Sequence, residues 1–202
     1  MGKKEVIFVL LNEFADWEGA FIASNLNGGT EPGKAKYTVK TLSTTKDPVT
    51  SIGGFKVIPD YDPETLSHDY AGLVLVGGMS WFTPEAQAIV PLVEDSIKKN
   101  RLVAGICNAS VFLGMNGFLN QVKHTSNTLE YLKQYSGEKY KGEANYINKQ
   151  AVRDGNIVTA NGTGYLEFCK EIMYILEADS PEKIEEYYSF FKMGFCEIMK
   201  KK

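Results

Sequence analysis

Cys107 is the residue of this sequence best placed to do chemistry. It ends the apolar run RLVAGIC, and residues 108–115 after it are predicted to form a helix. A sharp turn from strand to helix exposes the side chain at the turn and directs the amino end of the helix towards it. The helix dipole stabilises a thiolate, so the pattern predicts a thiol pKa below the usual value of about 8.5. The alternative is a buried core cysteine, because free cysteines are commonly buried.

Glu18 is the candidate acid. It follows the apolar run at residues 5–11 and falls in the first turn of a helix predicted at 17–27. Taken alone, it would be an acid that complements the helix dipole. Beside Cys107, a protonated carboxyl would stabilise the thiolate, whereas an ionised carboxyl would raise the thiol pKa. The sequence leaves both protonation states open.

Gly77, Gly78 and Asn108 are predicted to offer backbone N–H groups to an oxyanion. The two glycines end the run AGLVLVGG, and glycine lets the backbone approach a ligand oxygen closely. The alternative for this pair is a turn that requires positive φ. Trp81 is a candidate for the wall of the cleft or, alternatively, a packing residue. Thr163, in the segment NGTG before a predicted helix, is a further substrate-binding candidate.

The other cysteines and the two histidines form no recognisable catalytic or metal-binding motif. His68 lies in the polar segment SHDY and is predicted to be a solvated surface residue. His124 lies in a predicted strand, where a hydrogen-bonded core or edge histidine is favoured over a catalytic base. Cys169 and Cys196 fall on predicted helices and are expected to be structural, reduced thiols. Their spacing predicts neither a disulfide framework nor a metal site, and no cofactor is expected.

The elements that position these residues alternate between strands and helices. Strands are predicted at residues 5–11, 37–43, 71–78, 101–107 and 156–160, with shorter ones at 121–126 and 144–152, and a hairpin at 49–59 turns at Gly53 and Gly54. Helices are predicted at 17–27 with Asp16 as cap, from Thr83 to about Asn100, at 108–115, after Gly164, and at about 181–200. This alternation predicts an α/β fold with a mostly parallel sheet. Ligands bind such sheets beyond the carboxyl ends of the strands, where Glu18, the glycine pair and Cys107 converge.

The composition excludes several classes of function. The chain has 202 residues, 44% hydrophobic and 23% charged, as expected of one globular domain over residues 1–202. A net charge of -3 argues against binding to nucleic acid or to anionic membranes. No apolar run approaches the roughly 20 residues of a membrane-spanning helix. We therefore expect a cytoplasmic protein that acts on a small molecule.

The predicted C-terminal helix suggests a second copy of the chain as partner. Tyr187, Phe190, Phe191 and Phe195 give this helix more aromatic surface than a solvated helix needs. We predict a homodimer on this basis. The alternative is that the helix packs on its own domain.

Four segments recur in a recognisable order along residues 4–178. They are EVIFVLLNEFADWE with Glu18, AGLVLVGGMSWF with the glycine pair, AGICNAS with Cys107, and DGNIVTANGTG before the last core helix. Together they resemble the ThiJ/PfpI family, within the class I glutamine amidotransferase-like superfamily. The resemblance implies a flavodoxin-like three-layer sandwich, usually dimeric, in which the cysteine is hydrogen-bonded to a protonated glutamate.

The sequence departs from these relatives where they keep histidines. Protease-like members carry histidine directly after the cysteine, where Asn108 stands here. Members associated with parkinsonism carry one where Asn127 aligns, three residues after His124. Amidotransferases have glycine in place of Ala109 and a later His-x-Glu pair, which this sequence lacks. Proteolysis and glutaminase activity are therefore disfavoured.

The leading functional hypothesis is a reactive cysteine. Cys107 would attack a small carbonyl-type electrophile, in a hydrolase or lyase reaction of glyoxalase or hydratase type, or would be oxidised as a stress-responsive thiol. The alternative is a non-catalytic binding or chaperone-like module with the same fold. An intracellular protease or amidase is the weakest alternative, because no base is evident.

Overall fold

The computed structural model describes residues 2–29, 33–67 and 69–200; His68 lies outside them. The strands are β1 (Lys4–Val9), β2 (Tyr37–Leu42), β3 (Val49–Thr50), β4 (Lys56–Val57), β5 (Tyr70–Leu75), β6 (Leu102–Ile106), β7 (Ala151–Asp154) and β8 (Ile157–Ala160). The helices are α1 (Asp16–Gly28), α2 (Val90–Lys98), α3 (Asn108–Met115), α4 (Leu129–Ser136), α5 (Tyr165–Ile175), α6 (Pro181–Met193) and α7 (Phe195–Met199).

Six strands form the central sheet, in the order β2-β1-β5-β6-β8-β7. All neighbours are parallel except β7, which pairs antiparallel with β8 at one edge. The strands β1, β5 and β6 lie in the middle, and their apolar sequences are almost wholly buried, as expected for strands covered on both faces. The predicted α/β fold with a mostly parallel sheet is confirmed.

Helices cover both faces of this sheet. Alternate residues of β1 point to opposite faces, as the pleat of a strand requires. Val6 and Phe8 belong to one buried cluster, which includes residues of α1, α5 and α6. Ile7 and Val9 belong to a second buried cluster, which includes residues of α2, α3 and α4. The layers are therefore helix, sheet and helix, as the resemblance implied.

The loops after β1, β5 and β6 meet at one edge of the sheet. The chain passes from β1 to β2 on one side and later enters β5 and β6 on the other, so the carboxyl ends of β1 and β5 border the switch point of the sheet. The segments that directly follow these strands carry Glu18, in the first turn of α1, the glycine pair and Cys107. The fold thus places the predicted site residues at the edge where ligands bind such sheets.

Asp16 has a different role from the predicted one. Ala15 occupies the cap position of α1, and Asp16 is the first helical residue. The Asp16 carboxylate instead accepts a hydrogen bond from the N–H of Gly53 at 2.8 Å. The predicted hairpin forms from β3 and β4, with Gly54 at a φ of +85°. Asp16 therefore fastens the hairpin to α1.

The short strands predicted at 121–126 and 144–152 are largely wrong. Only the last residues of the second segment form a strand, β7, and His124 makes an isolated bridge with Tyr146. Two backbone hydrogen bonds join the segments, from the His124 N–H to the Asn145 carbonyl at 3.2 Å and from the Ile147 N–H to the His124 carbonyl at 2.8 Å. The next N–H, that of Thr125, donates to the side-chain oxygen of Thr159 in β8, so the backbone pairing is limited to this bridge.

Two predicted helices are each divided into two parts. The first, predicted from Thr83, begins as a 3-10 helix at Pro84–Ile89, and the α-helix α2 starts only where Pro91 occupies its first turn. Proline lacks an N–H and suits the start of a helix better than its interior. The C-terminal helix ends at Gly194, whose φ of +84° separates α6 from α7.

The aromatic residues of α6 pack partly on their own chain. Phe191 and Tyr187 contact Phe21 of α1, with ring centroids 4.8 and 6.3 Å apart. Phe195 in α7 is 61% exposed. The packing alternative thus accounts for part of this aromatic surface. None of the helices in the described part of the chain is long and apolar enough to cross a membrane.

Candidate active site

Cys107 occupies a constrained turn between β6 and α3. Its φ of +55° and ψ of -126° lie in a region that residues other than glycine rarely adopt. The backbone is fixed there because its N–H donates to the carbonyl of Ala160 at 2.9 Å and its carbonyl accepts from the Ser110 N–H at 3.0 Å. Such a conformation costs on the order of 1 to 3 kcal/mol and is typical of functional positions. The side chain is partly exposed, so the predicted elbow is present.

Glu18 lies beside this turn. It belongs to the first turn of α1, is only 1% exposed, and its side chain hydrogen-bonds with that of Cys107. Burial raises the pKa of Glu18 from 4.5 to about 7, although the bond with Cys107 and the N–H of Gly77 act in the opposite direction. Glu18 Oε2 has no well-formed hydrogen bond within the described residues. A carboxyl in this setting takes up a proton easily near neutral pH.

Gly77 and Gly78 provide room rather than an unusual backbone angle. A Cβ on Gly77 would overlap Glu18 Oε2 and lie 2.7 Å from Cys107 Cβ. A Cβ on Gly78 would lie 2.6 Å from the carbonyl oxygen of Glu13. Neither glycine is among the residues with a left-handed φ, so the positive-φ alternative does not apply. Because Gly77 has no side chain, Glu18 and Cys107 can lie beside each other.

Asn127 makes the most informative contact with the sulfur. Its Nδ2 donates to Cys107 Sγ at 3.4 Å, and its Oδ1 accepts from the N–H of Gly162 at 3.0 Å. Because the oxygen is committed to Gly162, the amide must present its N–H₂ group to the sulfur. A Cβ on Gly162 would lie 3.1 Å from Sγ. Sequence reasoning missed Gly162, although it lies in the NGTG segment that supplied Thr163.

Asn108 and Thr163 differ in their distance from the reacting groups. Asn108 begins α3, and its backbone N–H interacts with the Cys107 sulfur. Its Nδ2 donates to the carbonyl of Gly78 at 3.1 Å. Thr163 is exposed and bonds instead with the side chains of Asn161 and Gln150.

Trp81 lies in the core and Trp17 at the surface of the site. Trp81 is 1% exposed, donates from Nε1 to the carbonyl of Val76 at 2.6 Å and packs against Phe112. Trp17 is 49% exposed and donates from Nε1 to the carbonyl of Gly162 at 3.2 Å. The packing alternative thus describes Trp81. An exposed aromatic residue next to Gly162 is Trp17, which sequence reasoning missed although it directly precedes Glu18.

Comparisons with known proteins identify the family. The sequence matches the DJ-1/PfpI family over residues 4–175. The chain belongs to the DJ-1/PfpI family. It is 39% identical to the uncharacterized protease YdeA of Bacillus subtilis, over 95% of this chain and 93% of YdeA. It is 32% identical to a second B. subtilis protein, the uncharacterized protease YoaZ, over 95% of this chain and 92% of YoaZ.

A solved structure has the same fold. The DJ-1 superfamily protein Atu0886 from Agrobacterium tumefaciens is 37% identical and superposes with a TM-score of 0.83, over 93% of this chain and 97% of Atu0886. Among DJ-1/PfpI proteins, this chain therefore has close structural relatives. The matched region, residues 4–175, contains Glu18, Cys107 and Asn127, and it ends before α6.

The described histidine of this DJ-1/PfpI chain does not reach the cysteine. His124 is fully buried, with Nδ1 2.8 Å from the carbonyl of Val122 and Nε2 2.7 Å from the Tyr140 hydroxyl. Burial lowers the pKa of His124, in keeping with a neutral core residue. No group of three potential metal ligands occurs in the part of the chain that the structure describes.

The expected lowering of the thiol pKa is wrong. The pKa of Cys107 is raised to about 11, first by burial and then by the charge of Glu18, although the hydrogen bonds from Asn127 and the Asn108 N–H act in the opposite direction. The helix amino end is thus outweighed by desolvation and by a neighbouring acid. Between about pH 7 and pH 11 the Cys107 and Glu18 pair carries one proton and one negative charge.

Proposed function

We propose that Cys107 is the nucleophile of a reaction on a small carbonyl-type electrophile and that Glu18 carries its proton. The observation that carries the proposal is the close approach of Cys107 and Glu18 at a constrained turn: one Cβ added at Gly162 would lie 3.0 Å from Glu18 Oε1 and 3.1 Å from Cys107 Sγ. A nucleophile and a proton acceptor in hydrogen-bond contact are the basis of nucleophilic catalysis. We further propose that residues 1–202 form a single domain.

Cys107 and Glu18 together supply the nucleophile and the proton that the reaction requires. The sulfur adds to the carbonyl carbon while the proton of the pair, carried by Glu18, passes to the developing alkoxide, which gives a neutral hemithioacetal and an ionised Glu18. Where the carbonyl bears a leaving group, the adduct expels that group, and water hydrolyses the resulting thioester. The N–H groups of Asn108 and Gly78 are proposed to bind the developing oxyanion.

Asn127 favours the form with the charge on sulfur. Its Nδ2 and the backbone N–H of Asn108 both donate to the sulfur and lower the pKa of Cys107. Asn127 offers no base, because its amide oxygen is bonded to Gly162. Asn108 Oδ1 is buried without a partner among the described residues.

Oxidation is the second form of the same proposal. A peroxide would transfer one oxygen to the Cys107 thiolate, which gives a sulfenate and an alcohol or water. The donors that face the sulfur would then bind the added oxygen. In this form the protein responds to oxidative stress and does not turn over a substrate.

A binding or chaperone-like role is the alternative that a separate observation favours. Ile52, Phe55 and Ile58 of the hairpin segment are 57, 69 and 74% exposed. Exposed apolar side chains in a cluster are a common feature of binding surfaces. Proteolysis, which the names of YdeA and YoaZ suggest for those proteins, has less support, because Asn127 stands at the sulfur where a base would be needed.

Alkylation tests the proposed nucleophile. Iodoacetamide is expected to label Cys107 of the native protein faster than the buried Cys169, with a rate that increases as the pair loses a proton near pH 7. Peptide mass spectrometry measures all three cysteines in one sample, and the exposed Cys196 provides a reference thiol. A Cys107 rate no higher than that of Cys169 would refute both the catalytic and the oxidative form.

We also propose a cytoplasmic homodimer. Support comes from the reduced cysteines and from apolar side chains that remain exposed, among them Phe195 and Met199. Light scattering is expected to give about twice the chain mass of 22.5 kDa. A mass equal to that of one chain at micromolar concentration would exclude the dimer.

A further inference from the structure

The entrance to the cysteine is flanked by large apolar side chains. Trp17 is held at the backbone of Gly162, the residue whose added Cβ would lie 3.1 Å from Cys107 Sγ. Met79 is 54% exposed, and its sulfur lies 3.4 Å from Nδ2 of Asn108, the residue after Cys107. Trp17 and Met79, two of the large exposed apolar side chains, thus each contact a residue that adjoins Cys107.

Tyr131 adds a third surface from α4. This helix begins two residues after Asn127, which contacts the sulfur. Burial raises the pKa of the Tyr131 hydroxyl, and charges on Tyr135 and Cys107 raise it further. Tyr131 and Tyr135 stack with ring centroids 4.5 Å apart. Two stacked aromatic side chains thus lie on α4, which begins close to Asn127.

The pKa shifts of the pair have no cationic cause in the described part of the chain. Among the described residues, no lysine, arginine or histidine contributes to the pKa shift of Cys107 or of Glu18. The pair itself carries a negative charge above about pH 7. A substrate carboxylate or phosphate would meet repulsion here without a counter-ion. The site is therefore suited to an uncharged molecule.

We propose that the electrophile is uncharged and bears an aromatic or extended apolar substituent, which packs on Trp17 and Met79 while its reactive carbon meets Cys107. This inference rests on the proposed nucleophilic role of Cys107. Trp17 is then a residue that determines specificity. Its ring is fixed by the bond to Gly162, so it offers a flat face at low entropic cost.

Three alkylating reagents test this substrate class: iodoacetamide, N-benzyl iodoacetamide and iodoacetate. Each rate at Cys107 is divided by the rate at Cys196 in the same sample, which removes the intrinsic reactivity of the reagent. We expect the benzyl reagent to be favoured over iodoacetamide roughly fivefold at Cys107, and iodoacetate to be disfavoured. The same Cys107-to-Cys196 ratio for all three reagents would overturn the inference.

Variants of Trp17 locate the preference. Trp17→Ala is expected to remove the benzyl preference, and Trp17→Phe to retain most of it, because phenylalanine keeps the aromatic face and loses only the bond to Gly162. Ile58→Ala, which alters an exposed apolar residue of the hairpin segment, is the control and should leave the preference for the benzyl reagent unchanged. Loss of the preference in Trp17→Phe as well would contradict a stacking role. Slow labelling of Cys107 by every reagent would instead refute the proposed function.

Discussion

Replacing Cys107 with serine is expected to lower the consumption of glyoxal-type aldehydes by roughly a thousandfold or more. Serine has nearly the same shape as cysteine, so it can occupy the same turn, but its hydroxyl is a far weaker nucleophile at neutral pH. Loss of the thiol should also remove the fast-labelling cysteine. The measurements are the rate of aldehyde loss and the melting temperature of the same preparation.

Cys196→Ser is the matched control for this substitution. It removes an exposed thiol in α7 and should leave aldehyde consumption unchanged. A Cys107→Ser protein that melts like the wild type yet keeps full activity would contradict the catalytic form and favour the binding alternative. The wild type and the Cys107→Ser protein could both be inactive towards aldehydes. If peroxide then adds oxygen to the wild type and not to Cys107→Ser, the oxidative form is supported.

The convergence of the site was predictable because it depends on topology. Once strands and helices alternate, Glu18 after β1, the glycine pair after β5 and Cys107 after β6 must reach the same edge of a parallel sheet. Local residue types were sufficient for this step. The hairpin turn at Gly54 was also predictable, because a turn with a left-handed φ favours glycine at that position.

Other features depend on contacts between distant parts of the chain. Gly162 and Trp17 are 145 residues apart, and nothing local to either predicts the bond between them. Trp81 follows a glycine pair in the sequence, yet its indole turns inwards to bond with Val76. The pKa of Cys107 depends on how deeply the pair is buried, which the sequence pattern of an elbow does not reveal. The N–H of Asn108 at the amino end of α3 lowers the pKa of Cys107, as predicted, but burial raises this pKa by more.

Replacing Glu18 with glutamine is expected to lower aldehyde turnover roughly a hundredfold while leaving alkylation of Cys107 intact. Glutamine keeps the size of the side chain and can donate a hydrogen bond to sulfur, but it neither accepts nor returns a proton. Removing the carboxylate also removes a charge that raises the pKa of Cys107, so labelling at pH 8 should be as fast as in the wild type or faster. A residue with only a structural role would affect both rates alike.

The same substitution should stabilise the protein at neutral and alkaline pH. The pKa of Glu18 is about 7 in the folded chain and about 4.5 when unfolded, so between these values the folded state binds more protons and stability falls as pH rises. The Glu18→Gln protein has no carboxyl at this position, so its stability does not fall in this way as the pH rises. Its advantage over the wild type should be near zero below pH 4.5 and should reach about 3 kcal/mol above pH 7.

Melting curves of both proteins between pH 4 and pH 8 measure this difference. Equal pH dependence in the two proteins would mean that Glu18 ionises in the folded chain as easily as in water, which contradicts the buried pair. An advantage of Glu18→Gln together with its loss of turnover would mean that the wild type sacrifices stability to keep an ionisable acid beside the thiol, as expected where a buried charge serves catalysis rather than folding.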